Sequence, residues 1–339
     1  MAVTGQEKPN IRQVATLAGV SPMTVSRVLN GSAKVLPDTR ERVLAAVNEL
    51  NYRPSGVARA LATQRTRRIG VVIDSVAEHG PTSTLRAIEY AARDVGYTVT
   101  SVSIRDEAHL SPADSVAHLT DQGVDALCVV APRSSSVSAI KRIDVGLPVL
   151  VVKAERDDAF LTVSVDQRLG THLAVDHLAG LGHRDILHLA GPLDWLDARS
   201  RERAFHARAQ SWELRERPIV VGDWTADFGY DFARGITRMP DYTAIVAAND
   251  EMALGVIHGL HESGISVPHD VSVVGFDDLP TSRHFLPPLT TVRQDFHALG
   301  AAVMDVLRAA IEGRPIPQRT IIPADLTVRE STAPPRGER

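Results

Sequence analysis

Polar side chains that could hold a ligand stand at the ends of apolar runs. Asp74 closes "RIGVVID", Lys153 closes "PVLVVK", Asn249 and Asp250 close "AIVAAND", and Asp277 and Asp278 close "VSVVGFDD". Carboxylates, an ammonium and a carboxamide offer hydrogen bonds in both directions, the chemistry needed to bind a polar small molecule. A single Asp after a strand more often caps the next helix, but several converging on one cleft make a site. Catalytic signatures are missing from the sequence. It has no G-x-S-x-G, P-loop or H-E-x-x-H, Gly180-Leu181-Gly182 lacks the third glycine of a dinucleotide fingerprint, and His258 and His261 lack a third metal ligand. The expectation is a binding protein, not an enzyme, with no cofactor and no metal.

A second chemical face lies near the start, in "VSPMTVSRVLNG", Val20 to Gly31. Ser21 can cap a helix with Pro22 at its first position, and Asn30-Gly31 ends it. Val25, Val28 and Leu29 share one side, while Met23, Ser26 and Arg27 project from the other. Arg27 can offer two donors to a guanine edge or a phosphate, and Met23 can touch a thymine methyl.

These groups need elements to position them. Asn10 can cap a preceding helix whose apolar positions are Ile11, Val14, Ala15 and Leu17, stopping at Ala18-Gly19. A third helix runs from Pro37 to about Leu50, closing a small core with Val43, Leu44, Val47 and Leu50. Two helices joined by a tight glycine turn, the second exposing an Arg, form a helix-turn-helix suited to a major groove. Charge agrees with this. The net charge is -4, yet residues 1–66 hold nine basic residues against four acidic ones, a basic module on an acidic body. "NYRPSGVARALATQRT" then reads as a short helix that holds only when supported.

Beyond Thr66, strand-like runs of five to seven apolar residues alternate with helical stretches at 84–95, 167–180, 198–215, 250–263 and 296–312. That is the pattern of buried parallel strands in two doubly wound halves, with ligands at the carboxyl ends. No apolar run approaches the ~20 residues that span a bilayer, and "MAVTGQEKPN" lacks the core of a signal peptide. The expected location is cytoplasmic and nucleoid-associated, with no membrane role. The single cysteine, Cys128, sits in "ALCVVA" and reads as a buried structural thiol.

"IRQVATLAGVSPMTVSRVLNG" followed by "TRERVLAAVNELNYRPSGVARALAT" resembles the DNA-binding headpiece and hinge of the LacI family of bacterial transcription regulators. The resemblance implies an all-α headpiece over 1–50, a hinge over 51–66, and a periplasmic-binding-protein-like α/β body over 67–335. Its N-subdomain would take about 67–165 and 294–323, and its C-subdomain about 166–293 and 324–335. It assigns DNA contacts to Ser21, Pro22, Met23, Thr24, Ser26, Arg27, Asn30 and Tyr52. In the hinge it adds Ala58 and Leu61, with Leu61 wedging a base step in the minor groove. Leu36 departs from the family, where a Ser or Thr usually caps the third helix.

The resemblance continues through "AGPLDWLDARSR", "GDW", "AANDEMALG", "SVVGFDD" and "PPLTTVRQDF". It implies a small sugar effector between the halves, a galactoside or another β-glycoside. Arg201 would hold hydroxyls bidentately, Asn249 and Asp277 would bond others, Trp224 would stack on a ring and Phe296 would line the wall, with Trp195 a further candidate. Asp74, Glu78 and Lys153 depart from galactoside-binding members, and Asp74 and Lys153 are expected to pair across the pocket floor. The implied function is a repressor of a sugar-utilisation operon, bound as a homodimer to a double-stranded, pseudopalindromic operator and relieved by its effector. The C-terminal "STAPPRGER" lacks apolar heptads, which predicts a dimer. A regulator needing a corepressor, and a sugar-binding protein without a DNA role, remain open at this point.

Overall fold

The computed structural model describes residues 9–29, 34–52, 65–74, 78–104, 111–130, 133–155, 157–236 and 238–336. Asn30, Ala58, Leu61 and most of the expected hinge therefore lie outside the described residues. The chain divides into two compact units, Met1–Thr66 and Arg67–Arg339.

In the first unit, α1 (Ile11–Ala18) starts at Asn10, whose side chain accepts from the Arg12 and Gln13 amides while Gln13 reaches back to the Asn10 amide. It ends at Gly19, whose φ of 63° is the left-handed turn that glycine adopts without steric cost. α2 (Pro22–Leu29) is capped by Ser21 Oγ, which accepts from Thr24 N at 3.2 Å. α3 (Pro37–Glu49) begins at Leu36 with no side-chain cap. Val14, Ala15, Ala18, Val25, Val28, Val43 and Ala46 form the core. Two expected core residues differ: Leu17 and Leu44 point outward, at 45% and 44% exposure. Ala18 and Ala46 take their places, because the i, i+3, i+4, i+7 row runs Ile11, Val14, Ala15, Ala18 and leaves Leu17 off the stripe.

The second unit holds two six-stranded sheets. The first joins β1 (Arg68–Ile73), β2 (Thr98–Ser103), β3 (Ala126–Val130), β4 (Val149–Val152), β5 (Leu161–Val165) and β11 (Arg319–Ile322) in the order β11-β5-β4-β3-β1-β2, all parallel. The second joins β6 (Ile186–Ala190), β7 (Val220–Val221), β8 (Ala244–Ala247), β9 (Ser272–Asp277), β10 (Thr290–Gln294) and β12 (Ala324–Thr327) in the order β12-β10-β9-β8-β6-β7, with only β12 antiparallel.

Helices cover the sheets. They are α4 (His79–Asp94), α5 (Pro112–Asp121), α6 (Ser134–Ile140), α7 (Gln167–Gly180), α8 (Leu196–Ser211), α9 (Ala226–Arg234), α10 (Asp250–Glu262) and α11 (Phe296–Ile311). Central strands such as β1, β3, β6 and β8 are apolar runs because both faces are buried. Cys128 is fully buried in β3, and burial pushes its thiol up to about 12, so it is inert. The chain passes between the sheets after β5, after β10, and between β11 and β12. No helix among the described residues is long and apolar enough to cross a membrane.

Candidate functional site

In the first unit the capped α2 leaves one face open. Val25 and Val28 are buried, whereas Ser21, Pro22, Met23 and Arg27 are exposed, Met23 at 64%. Thr24 and Ser26 lie at the margin, and Tyr52 packs partly against the core. A rigid, short helix displaying an Arg and an exposed thioether at its start can enter a groove and touch base edges.

In the second unit a cleft opens at the carboxyl ends of the strands of both sheets, with about 760 Å³ of space when its open mouth is counted. Glu78, Lys153, Arg201, Trp224, Asn249, Asp277 and Phe296 all line it, and so does Trp195. Asn249 is shaped by two jobs: its Oδ1 caps α10 through Met252 N at 2.9 Å, and its Nδ2 donates to Trp224 O at 2.9 Å. Trp224 sits at φ 74°, and its ring lies against Gly191, where a Cβ would come within 2.2 Å of it. Only glycine permits that approach. Trp195 meets Trp224 edge-on, with centroids 5.5 Å apart, and Phe296 packs edge-on against His79 at 5.6 Å.

Arg201 is 5% exposed. Its guanidinium carbon lies 3.6 Å from the Phe276 ring centroid, its Nε donates to Gln167 Oε1 at 2.8 Å, and one Nη donates to the Ala248 carbonyl. Gln167 Nε2 donates to Gln294 Oε1 at 3.0 Å, and Gln294 Nε2 donates to Asp277 Oδ1 at 2.7 Å. Asp277 closes the ring by facing Arg201 at 3.9 Å. Gln167 opens α7 and Gln294 ends β10, so this ring ties the cleft to two of the three crossings between the halves.

Burial dominates the acids here. It raises Asp277 to about 6 against the pull of Arg201. It raises Asp250 to about 7, reinforced by Asp277, although Ser282, Thr291 and the Leu279 amide all donate to it. Asp197, at the start of α8, also lines the cleft and is raised by burial against Arg201. His79 is lowered, first by burial.

The expected pair between Asp74 and Lys153 does not form. Lys153 Nζ lies 2.5 Å from Asp157 Oδ2, which Lys141 also engages at 2.8 Å. Burial alone would raise Asp157, but the two ammonium groups hold it down at about 2. Asp74 instead accepts from Ser136 Oγ at 2.6 Å, faces Arg133 at 3.4 Å, and does not line the cleft. The strand order explains this. β3 runs between β1 and β4, so the two strand ends stand two inter-strand spacings, about 9–10 Å, apart.

Gln167, Gln294, Asp197, His79 and Ser164 line the cleft without having been expected there. Gln294 and Asp197 fall inside the motifs "PPLTTVRQDF" and "AGPLDWLDARSR". Gln167 and Ser164 belong to β5 and its exit, whose "LTVSV" alternates polar and apolar residues and does not read as a buried strand.

Both units resemble known proteins. A family model described as bacterial regulatory proteins, lacI family, matches residues 10–55, and one for the periplasmic binding protein-like domain matches residues 175–332. The chain is 36% identical over 330 residues to the lactose operon repressor of Escherichia coli (strain K12), covering 95% of this chain and 90% of that protein. The crystal structure of the lac repressor dimer bound to operator and the anti-inducer ONPF superposes with a TM-score of 0.84 at 34% identity, covering 96% of this chain and 100% of the other. A complex of the transcriptional regulator CelR with cellobiose superposes with a TM-score of 0.70 at 30% identity, covering 95% and 99%.

Proposed function

Since the chain belongs to the lacI family of bacterial regulatory proteins, we propose that it is a transcriptional repressor whose hold on its operator is set by a small sugar in the cleft. The observation that carries the reading is the joining, in one chain, of an open, capped recognition helix and a cleft lined with hydrogen-bonding groups and two indoles. Sugars present paired hydroxyls and C–H faces, which forked guanidinium, carboxylate and aromatic partners match.

A homodimer places two copies of α2 on a pseudopalindromic site, with the half-site spacing set by the two-fold axis. The lac repressor is a dimer on its operator, and the same assembly serves this chain. In this reading the DNA contacts are those of Ser21, Pro22, Met23, Thr24, Ser26 and Arg27, with Asn30, Tyr52, Ala58 and Leu61 completing them. The effector contacts are those of Arg201, Trp224, Asn249, Asp277 and Phe296, and work in the cytoplasm, on the nucleoid, follows from that role. Asp74 is given no ligand contact.

The test selects binding sites from random duplex DNA, then measures affinity against salt with the full chain and with a chain lacking residues 1–66. A steep fall of log affinity with log salt, lost on the deletion, is expected. Equal binding by both proteins would remove the assignment to the first unit. Thermal-shift measurements with lactose, galactose, cellobiose and xylobiose test the effector side, because a ligand that binds the native state raises its melting temperature.

A further inference from the structure

The lysine and the arginine lining the cleft each face a carboxylate. Lys153 is held by Asp157, while Arg201 donates to Gln167 and Ala248 and faces Asp277 at 3.9 Å, which leaves it N–H groups for a neutral hydroxyl but no unbalanced charge for an anion. The lining also holds the acids Glu78, Asp197 and Asp277. An anionic ligand would meet these carboxylates and find the charge of both lining cations already balanced.

Two neutral polar atoms stand in the opposite position. Ser164 Oγ and Trp224 Nε1 are buried without a hydrogen-bond partner among the described residues, and both residues line the cleft. Ser164 is 3% exposed and Trp224 is 7% exposed. Buried polar atoms are almost always paired, so each orphan calls for an explanation. Trp224 cannot readily turn to find a partner, because its carbonyl is held by Asn249 and its ring lies on Gly191. The two atoms come from different halves: Ser164 from β5 of the first sheet, Trp224 from the segment after β7 of the second.

We propose that Ser164 and Trp224 are the neutral contacts that select the effector, each meeting an oxygen of an uncharged polyhydroxylated ring, so that the ligand is a neutral saccharide and not a sugar phosphate or sugar acid. A hydroxyl oxygen accepts from the indole N–H and exchanges a hydrogen bond with the serine, so one ligand satisfies both halves at once. The acids of the lining then accept from the remaining hydroxyls. This inference rests on the reading of the cleft as an effector site.

The test uses the full chain labelled with 15N at tryptophan. The chain has three tryptophans, and Trp224→Phe identifies the Trp224 indole signal. The protein is titrated with lactose, galactose, cellobiose, xylobiose and glucose 6-phosphate. At least one neutral saccharide is expected to bind and to move the Trp224 indole proton downfield. Ser164→Ala and Trp224→Phe should each weaken that saccharide about tenfold, the loss of one buried hydrogen bond, with melting curves of the unliganded variants showing them folded. Tighter binding of glucose 6-phosphate than of any neutral saccharide would overturn the proposal. A saccharide that binds with the Trp224 indole unmoved and the Ser164→Ala affinity unchanged would also overturn it, while leaving the effector cleft in place. Binding of none of the five would remove the effector reading as well.

Discussion

Asp277 shows how burial and recognition meet in a single residue. It sits 9% exposed at the end of β9, accepts from Gln294, and is raised to about 6 chiefly by burial. A carboxyl whose folded pKa lies above its unfolded value of about 3.9 takes up protons on folding. Its contribution to stability is therefore full below about pH 4 and is lost as pH rises through about 6. Asp157, held at about 2, has the opposite sign: its contribution is present above about pH 4 and disappears as pH falls toward 2. Asp277→Asn isolates the first effect. The melting temperature of the natural protein minus that of the variant should be greatest near pH 4 and shrink toward pH 7. A difference independent of pH would show that Asp277 is not the group that titrates. The same variant should bring Asp250 down from about 7, because the Asp277 charge is part of what raises it.

At the scale of elements, local signals and tertiary placement separate cleanly. The caps at Asn10 and Ser21, the proline starts of α2 and α3 and the glycine stop of α1 are short-range chemistry and are legible residue by residue. So are the apolar runs of β1, β3, β6 and β8. β11 and β12 are four-residue strands of mixed polarity, and β5 carries buried Thr162 and Ser164, so none of them has the apolar signature of a central strand. That Asp74 and Lys153 do not pair was equally hidden, because which strand lies between β1 and β4 is a property of the sheet and not of either segment.

Two expectations belong to these elements. Leu36 is 74% exposed at an uncapped helix start, so Leu36→Thr should stabilise α3 by about 1 kcal/mol at little apolar cost. Native-state hydrogen exchange of the α3 amides in the full chain should slow about fivefold, and unchanged exchange would mean the start of α3 does not limit its opening. Exchanging Pro22 and Met23, both exposed at the start of α2, should change the half-site recovered by selection from random DNA. A change in overall affinity with the same half-site would place sequence reading elsewhere on the helix.

For the whole molecule, the ring of Arg201, Gln167, Gln294 and Asp277 joins the cleft to the crossings through which each half feeds the other. A ligand that accepts from Arg201 and donates to Asp277 competes with the glutamines that bind those crossings, and so has differential contacts with two arrangements of the halves. That difference is what an effector needs in order to act on DNA held by another unit of the same chain. The most direct measurement is the affinity of the full chain for its selected pseudopalindromic DNA, with and without the saccharide that raises its melting temperature. A coupling of about 1–3 kcal/mol predicts that saturating saccharide weakens the complex by about 5- to 150-fold. Unchanged affinity, with the saccharide shown to be bound, would contradict the account.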